Sequence, residues 1–158
     1  MAHEIILEIC HWSRHKYLYR RADLISIAQK ALVYCNRPKR SVIISMMICD
    51  DNDITRLNQI WRKKNGPTDV LAFPAAPVPG PGPELLGDIA ISFETVMRRQ
   101  QDDRVAARRE IRLLFCHGML HLLGMDHETD ADRAAMQKAQ AHILGIPEED
   151  AWIADDVH

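Results

Sequence analysis

An eleven-residue run, His117-Gly-Met-Leu-His121-Leu-Leu-Gly124-Met-Asp-His127, limits what this chain can become more than any other stretch. Before it, Ile111, Leu114, Phe115 and, further on, Leu122 keep helical spacing from a start near Asp103. His117 and His121 are therefore four apart on one helix, and their imidazoles leave the same face one turn apart. Gly124 falls where a helix commonly ends in a left-handed residue. Beyond that stop the chain can double back and swing Asp126 and His127 towards the two rings. Histidine pairs at this spacing arise often by chance. A third histidine just past a helix-stopping glycine is a different matter. Three neutral imidazoles with a fourth position left open are the donor set of a catalytic zinc site, so His117, His121 and His127 are read as metal ligands. Nickel, cobalt or copper would accept the same ligands. Asp126 reads two ways, as the partner that fixes a ligand histidine's tautomer or as a cap of the turn. His142, on the last predicted helix, is taken as a bystander.

One absence narrows the chemistry. Metalloproteases with the H-E-x-x-H signature carry a glutamate after the first histidine as general base. Here that position is Gly118. Zinc acidifies bound water without that help, which keeps hydrolysis open while demoting a protease.

The rest of the chain frames the helix. Ile5–Cys10 and Ser41–Cys49 read as strands, the second a β-branched run suited to the middle of a sheet. Between them Asp23 is the expected N-cap of a helix with Leu24, Ile27, Ala28, Ala31 and Leu32 on one stripe, closed by Asn36 and Pro38. Asp51 and Asp53 are expected to cap a helix through Trp61. Residues 68–73 and 88–93 read as two further strands. Pro74–Pro83, with five prolines and two glycines, reads as a long exposed loop, either a lid or a partner contact. Short and long helices follow from Glu94 and Asp103, and a last one runs from Thr129 or Asp130 to Gly145. The expected class is α/β (α+β): one domain over residues 1–158, with a single-layer sheet of about four strands, about five helices, and a zincin-like placement of the histidine-bearing helix.

Composition sets the surroundings. A chain of 158 residues, 47% hydrophobic and 27% charged, can bury a core without disulfides. Cys10, Cys35, Cys49 and Cys116 form no C-x-x-C pair and are expected as buried free thiols, with Cys116 turned to the core. No apolar run is long enough for a membrane span, and no basic leader precedes an apolar segment, so a cytoplasmic protein without a membrane partner is expected. The net charge of -2 argues against indiscriminate nucleic-acid binding, DNA included. Cations nevertheless cluster at Arg37–Arg40, Arg62–Lys64 and Arg98–Arg112.

The histidine run resembles H-G-x-L-H-L-x-G-Y-D-H, the signature of the YbeY family of bacterial rRNA maturation factors and endoribonucleases. Two further blocks agree in order. Residues 57–74 (LNQIWRKKNGPTDVLAFP) are similar to that family's L-N-x-x-Y-R-x-K-x-x-P-T-D-V-L-S-F-P, and Leu86-Gly87-Asp88-Ile89 matches its L-G-D-I. Met125 and Trp61 replace tyrosines and Ala72 a serine, and none of these changes removes a ligand or a charge. The resemblance implies a zinc-dependent, single-strand-specific endoribonuclease. It would process ribosomal RNA, notably the 3′ end of small-subunit (16S) rRNA, contact the small ribosomal subunit and serve ribosome quality control. It also implies that His117, His121 and His127 hold the metal and that Arg62 is the functional, catalytic arginine. A guanidinium and a metal suit that role, since cleaving a phosphodiester builds charge on its nonbridging oxygens. Arg98, Arg99, Arg108 and Arg109 are candidates to extend a track for RNA. The competing readings are a ribosome-assembly partner whose metal is structural and, behind it, a metalloprotease.

Overall fold

The β-branched run at residues 42–49 becomes an inner strand of one open sheet in the computed structural model, which describes residues 3–152. The sheet contains β1 (Ile5–His11), β2 (Val42–Cys49), β3 (Val70–Pro74) and β4 (Glu84–Ser92), in the order β1-β2-β4-β3. β1, β2 and β4 run parallel, and β3 is an antiparallel edge against β4. Five α-helices accompany it among the described residues: α1 (Arg21–Tyr34), α2 (Asp51–Arg62), α3 (Phe93–Arg99), α4 (Arg104–Leu122) and α5 (Asp130–Leu144). The expected class and strand number are what the structure has.

Side-chain alternation assigns the faces. β2 buries Val42, Ile44, Met46 and Ile48 on one side and leaves Ile43, Ser45 and Met47 half-buried on the other. The first side, with Leu7, Ile89 and Ile91, receives Leu24, Ile27 and Leu32 of α1, Ile111, Leu114 and Phe115 of α4, and Met136 and Ile143 of α5. Each such side chain taken fully out of water contributes about 1.5–3 kcal/mol. The other face is covered by α2, through Ile54 and Leu57 against Cys49, Leu71 and Ala90. The thick side of the molecule is therefore the side on which α4 lies.

Several boundaries differ from expectation. α1 starts one turn early, after Arg20, and no side chain caps it. Asp23 lies inside the first turn, where it accepts from Arg112 Nε at 2.7 Å. Asp51 is likewise the first residue of α2 and not its cap; its carboxylate accepts from Ser92 Oγ at 2.9 Å, from Thr95 Oγ1 and from Arg98 Nη1 at 2.6 Å. Burial would raise the Asp51 carboxyl, but those bonds outweigh it and hold the group below its ordinary range. β3 begins later, at Val70, and runs on through Pro74, which an edge strand tolerates. β4 begins earlier than expected, at Glu84, and Phe93 opens α3; the proline-rich loop keeps its expected end at Pro83 and gives up only Pro74, to β3. Of the four cysteines only Cys49 and Cys116 are buried, and burial pushes both thiols up to about 12. Cys10 is exposed and Cys35 half-buried.

The L-G-D-I block has a steric reason. β4 bulges between the partners of Ile43 and Ile44, and Gly87 takes φ +141° there. A Cβ on Gly87 would stand 2.2 Å from the Phe73 carbonyl oxygen, so only glycine lets β3 lie against β4.

Candidate metal centre

Helix α4 is held at both ends by local bonds. Asp103 caps it, accepting from the amides of Val105 and Ala106. At the far end the Met125 amide donates to Leu120 O at 2.9 Å and the Gly124 amide to His121 O at 3.0 Å, with Gly124 at φ +97°. These are the paired bonds of a Schellman stop. The chain reverses there as expected and carries His127 back over the last turn. Ring centroids lie 4.6 Å apart for His117–His121, 5.4 Å for His117–His127 and 5.2 Å for His121–His127. One nitrogen from each ring falls within 4.8 Å of the others, so the three could hold one metal ion. No other set of three or more such side chains among the described residues does so.

A residue unread in the sequence supports this grouping. Gln140 of α5 is fully buried beneath His117. Its Nε2 donates to the Ala151 carbonyl, which can only accept, so Oε1 must face the ring. His117 Nδ1 lies 2.8 Å from that oxygen and is therefore the N–H nitrogen. Nε2 is left with its lone pair, 3.0 Å from Nε2 of His121. The buried amide thus sets the tautomer a ligand needs, with no charge of its own. Asp126 does not do this. It is exposed, and its Oδ1 accepts from the His127 amide at 2.8 Å, the turn-capping alternative. The signal for Gln140 was a polar residue in the apolar stripe Met136, Ala139, Ile143, but its partner lies 23 residues away. Trp152 was also missed. Its ring stands edge-on to His117 and His127, 5.6 Å from each, with the Arg133 guanidinium 4.8 Å above it. Gln140→Ala is expected to weaken zinc affinity about 10- to 100-fold while the fold persists. Competition against a chromophoric chelator measures this, and unchanged affinity would show that the amide has no such role.

The donor set is half open. His117 is 1% exposed, whereas His121 and His127 are half-buried on the wall of a cleft of about 650 Å³. Arg62, Val70, Ala72 and Pro74 form another part of that wall, with Asp126 and Glu128 at the rim. Arg62 is the last residue of α2 and is exposed, without an ion pair among the described residues. Lys63 ends the helix in the left-handed region, and buried Asn58 pins the turn by donating to Gly66 O at 3.1 Å. The L-N-x-x-W-R spacing thus has a local cause: Asn58 fixes the turn from which Arg62 projects.

The other arginines singled out in the sequence do not line this cleft. Arg98 is paired with Asp51. Arg99 bridges buried Asp69 at 2.6 Å and Glu110 at 2.8 Å, tying the segment before β3 to α3 and α4. Burial raises the Glu110 carboxyl even beside that guanidinium. Arg98 and Arg99 are thus engaged in ion pairs within the fold. Arg108 bonds the Tyr17 carbonyl, and Arg109 is exposed. His142 packs against Tyr34, away from the cluster, as expected.

Comparison with known proteins fits this picture. The family described as "Endoribonuclease YbeY" matches residues 12–146. Proteins of that name from Anaeromyxobacter sp. (strain Fw109-5) and Myxococcus xanthus (strain DK1622) are 45% identical over 100 residues and 41% over 118. These matches cover 63% and 73% of this chain. They cover 52% and 39% of the relatives, so the chain spans about half the length of the curated relatives it matches. A solution structure of the Thermotoga maritima protein TM1509 shares the fold, with a TM-score of 0.54 at 22% identity, over 96% of this chain and 100% of that one. With the family's pattern matched across most of its length, this chain belongs to the YbeY endoribonuclease family.

Proposed function

We propose that this chain is a zinc-dependent, single-strand-specific endoribonuclease. It matures ribosomal RNA in the cytoplasm, at the 3′ end of small-subunit rRNA, and serves ribosome quality control in contact with the small subunit. The observation that carries the reading is three converging imidazoles in a cleft whose wall also presents the Arg62 guanidinium, which has no ion pair among the described residues. Zinc bound there would supply Lewis acidity for phosphodiester cleavage. His117, held by Gln140, and His121 and His127, facing the cleft, are the ligands. Arg62 grips the scissile phosphate through two N–H donors and stabilises the charge that grows on its nonbridging oxygens. The half-exposed rings favour an open, catalytic site over a closed structural one. A strand without secondary structure can enter the cleft and present one phosphodiester to Arg62.

Arg62→Glu is expected to lower cleavage of an unstructured precursor RNA about 10²–10³-fold, the range for loss of one pre-organised donor. Zinc content should be unchanged, and Arg62→Lys should recover only part of the rate. Cleavage by Arg62→Glu at the wild-type rate would remove Arg62 from the mechanism. If His121→Ala also cuts at the wild-type rate, the activity belongs to a contaminant.

A further inference from the structure

The stretch from His11, the last residue of β1, to Arg21, the first of α1, is the most basic and aromatic of the chain. It holds Arg14, Lys16, Arg20, Arg21, two histidines, Trp12, Tyr17 and Tyr19, and no aspartate or glutamate, in a protein of net charge -2. None of the site described above uses it.

It is nevertheless firmly built. The Trp12 amide donates to Ile48 O at 2.7 Å, and Ser13 Oγ donates to Asp50 at 2.6 Å. Leu18 is fully buried beneath the segment, and the rings of His11, Tyr19 and Phe93 pack on one another. From α4, Arg104 donates to the Lys16 carbonyl and Arg108 Nε to the Tyr17 carbonyl at 3.0 Å. The effect is to hold outward what folding ordinarily hides. Trp12 is 62% and Tyr17 77% exposed, the latter at φ +63°, a conformation bulky residues rarely take. Arg14 and Arg112 nearby are paired with Glu94 and Asp23. Lys16, Arg20, Arg104 and Arg108 have no carboxylate partner among the described residues; two of these arginines bond only carbonyls and keep their full charge.

We propose that this segment, with Arg104 and Arg108, is a second contact surface for single-stranded RNA, on which unstacked bases lie against Trp12 and Tyr17 while phosphates meet Lys16, Arg20 and the α4 arginines. Exposed rings beside unpaired cations are the two components of sequence-tolerant single-strand binding. A duplex keeps its bases stacked inside and could use only the charge. A lipid surface would call for aliphatic side chains as well, and the one large aliphatic residue of the segment, Leu18, is buried. Arg108 precedes His117 by nine residues on the same helix, an axial distance of about 14 Å at ~1.5 Å per residue. Those nine residues are about two and a half turns, so Arg108 leaves the opposite side of α4 from His117, and a strand seated here reaches the candidate metal centre by passing around that helix. The proposal rests on the ribonuclease reading for the identity of its ligand, and it adds where the substrate is held outside the cleft.

Fluorescence anisotropy with the zinc-loaded protein tests it, using unstructured RNAs of about 16 and about 4 nucleotides, the span of sites on single-strand binding folds. Trp12→Ala with Tyr17→Ala should weaken binding of the longer RNA about tenfold or more, since each stacked base contributes at least several-fold. Lys16→Glu with Arg20→Glu should do likewise and lower the slope of log affinity against log salt by about 0.7 per lost phosphate contact. Binding of the shorter RNA, and kcat on either, should not change. Thermal melts check that both variants fold. Equal affinity of wild type and both variants for the longer RNA overturns the proposal. So does equal loss on a blunt RNA duplex in the aromatic variant, or loss confined to vesicles of anionic lipid. If the wild type binds RNA through this segment but cuts none, the ribonuclease reading fails and the surface stands.

Discussion

Replacing His121 by alanine will leave a folded protein that takes up zinc poorly and cuts RNA at least about 10³-fold more slowly, because a single oxyanion donor is already worth 10²–10³. The ring is half-buried and faces the cleft, so its loss opens little cavity in the core. What disappears is a third of the donor set. His117 and His127 alone would leave two imidazoles, whose rings are 5.4 Å apart, to hold an ion that ordinarily takes four ligands. Circular dichroism and melting separate this from unfolding, and zinc analysis beside cleavage rates gives the answer. A variant that binds zinc as tightly as wild type would show that His121 is not a ligand.

Gly118→Glu, the change that would restore H-E-x-x-H, is expected to unfold the protein and not to create a protease. Glycine inside a helix costs about 1 kcal/mol relative to alanine, so its presence in α4 calls for a cause. A Cβ there would stand 2.9 Å from Ile89 Cγ2 and 3.1 Å from Cδ1, both in the middle of β4. α4 rests on the sheet at this point, and both faces of the contact are buried. A methyl group alone should cost about 1–3 kcal/mol through overpacking. A glutamate adds further bulk and a charge at this buried position, several kcal/mol more, against a whole-domain stability of about 5–15 kcal/mol. Denaturant melts of Gly118→Ala and Gly118→Glu should show a graded and then a near-total loss. A stable Gly118→Glu protein would mean that the α4–β4 contact is looser than the structure has it.

What could be read from the chain and what could not divide along sequence separation. The α4 stop was legible because Gly124 and Met125 close it with bonds to His121 and Leu120, all within six residues. That stop determines where His127 goes, so the histidine cluster followed from spacing. The start of α1 was misplaced because Asp23 has the chemistry of a cap while its carboxylate is engaged by Arg112, 89 residues away. Asp51 misled in the same way, its oxygens serving Ser92, Thr95 and Arg98 across the α2–α3 junction. Arg98 and Arg99 looked like free cations because composition shows charge and not pairing. Gln140, which sets the His117 tautomer, had only its awkward place in an apolar stripe to betray it. Contacts made within a turn are written in the sequence, and contacts made across the core are not.

X-ray absorption at the zinc edge of the loaded wild-type protein bears most directly on the account. One zinc per chain with three imidazole nitrogens at about 2.0–2.1 Å, and a fourth, light ligand that exchanges with solvent, is the expected result. A sphere closed by four protein ligands would make the metal structural. A chain that takes up no zinc would contradict the account outright.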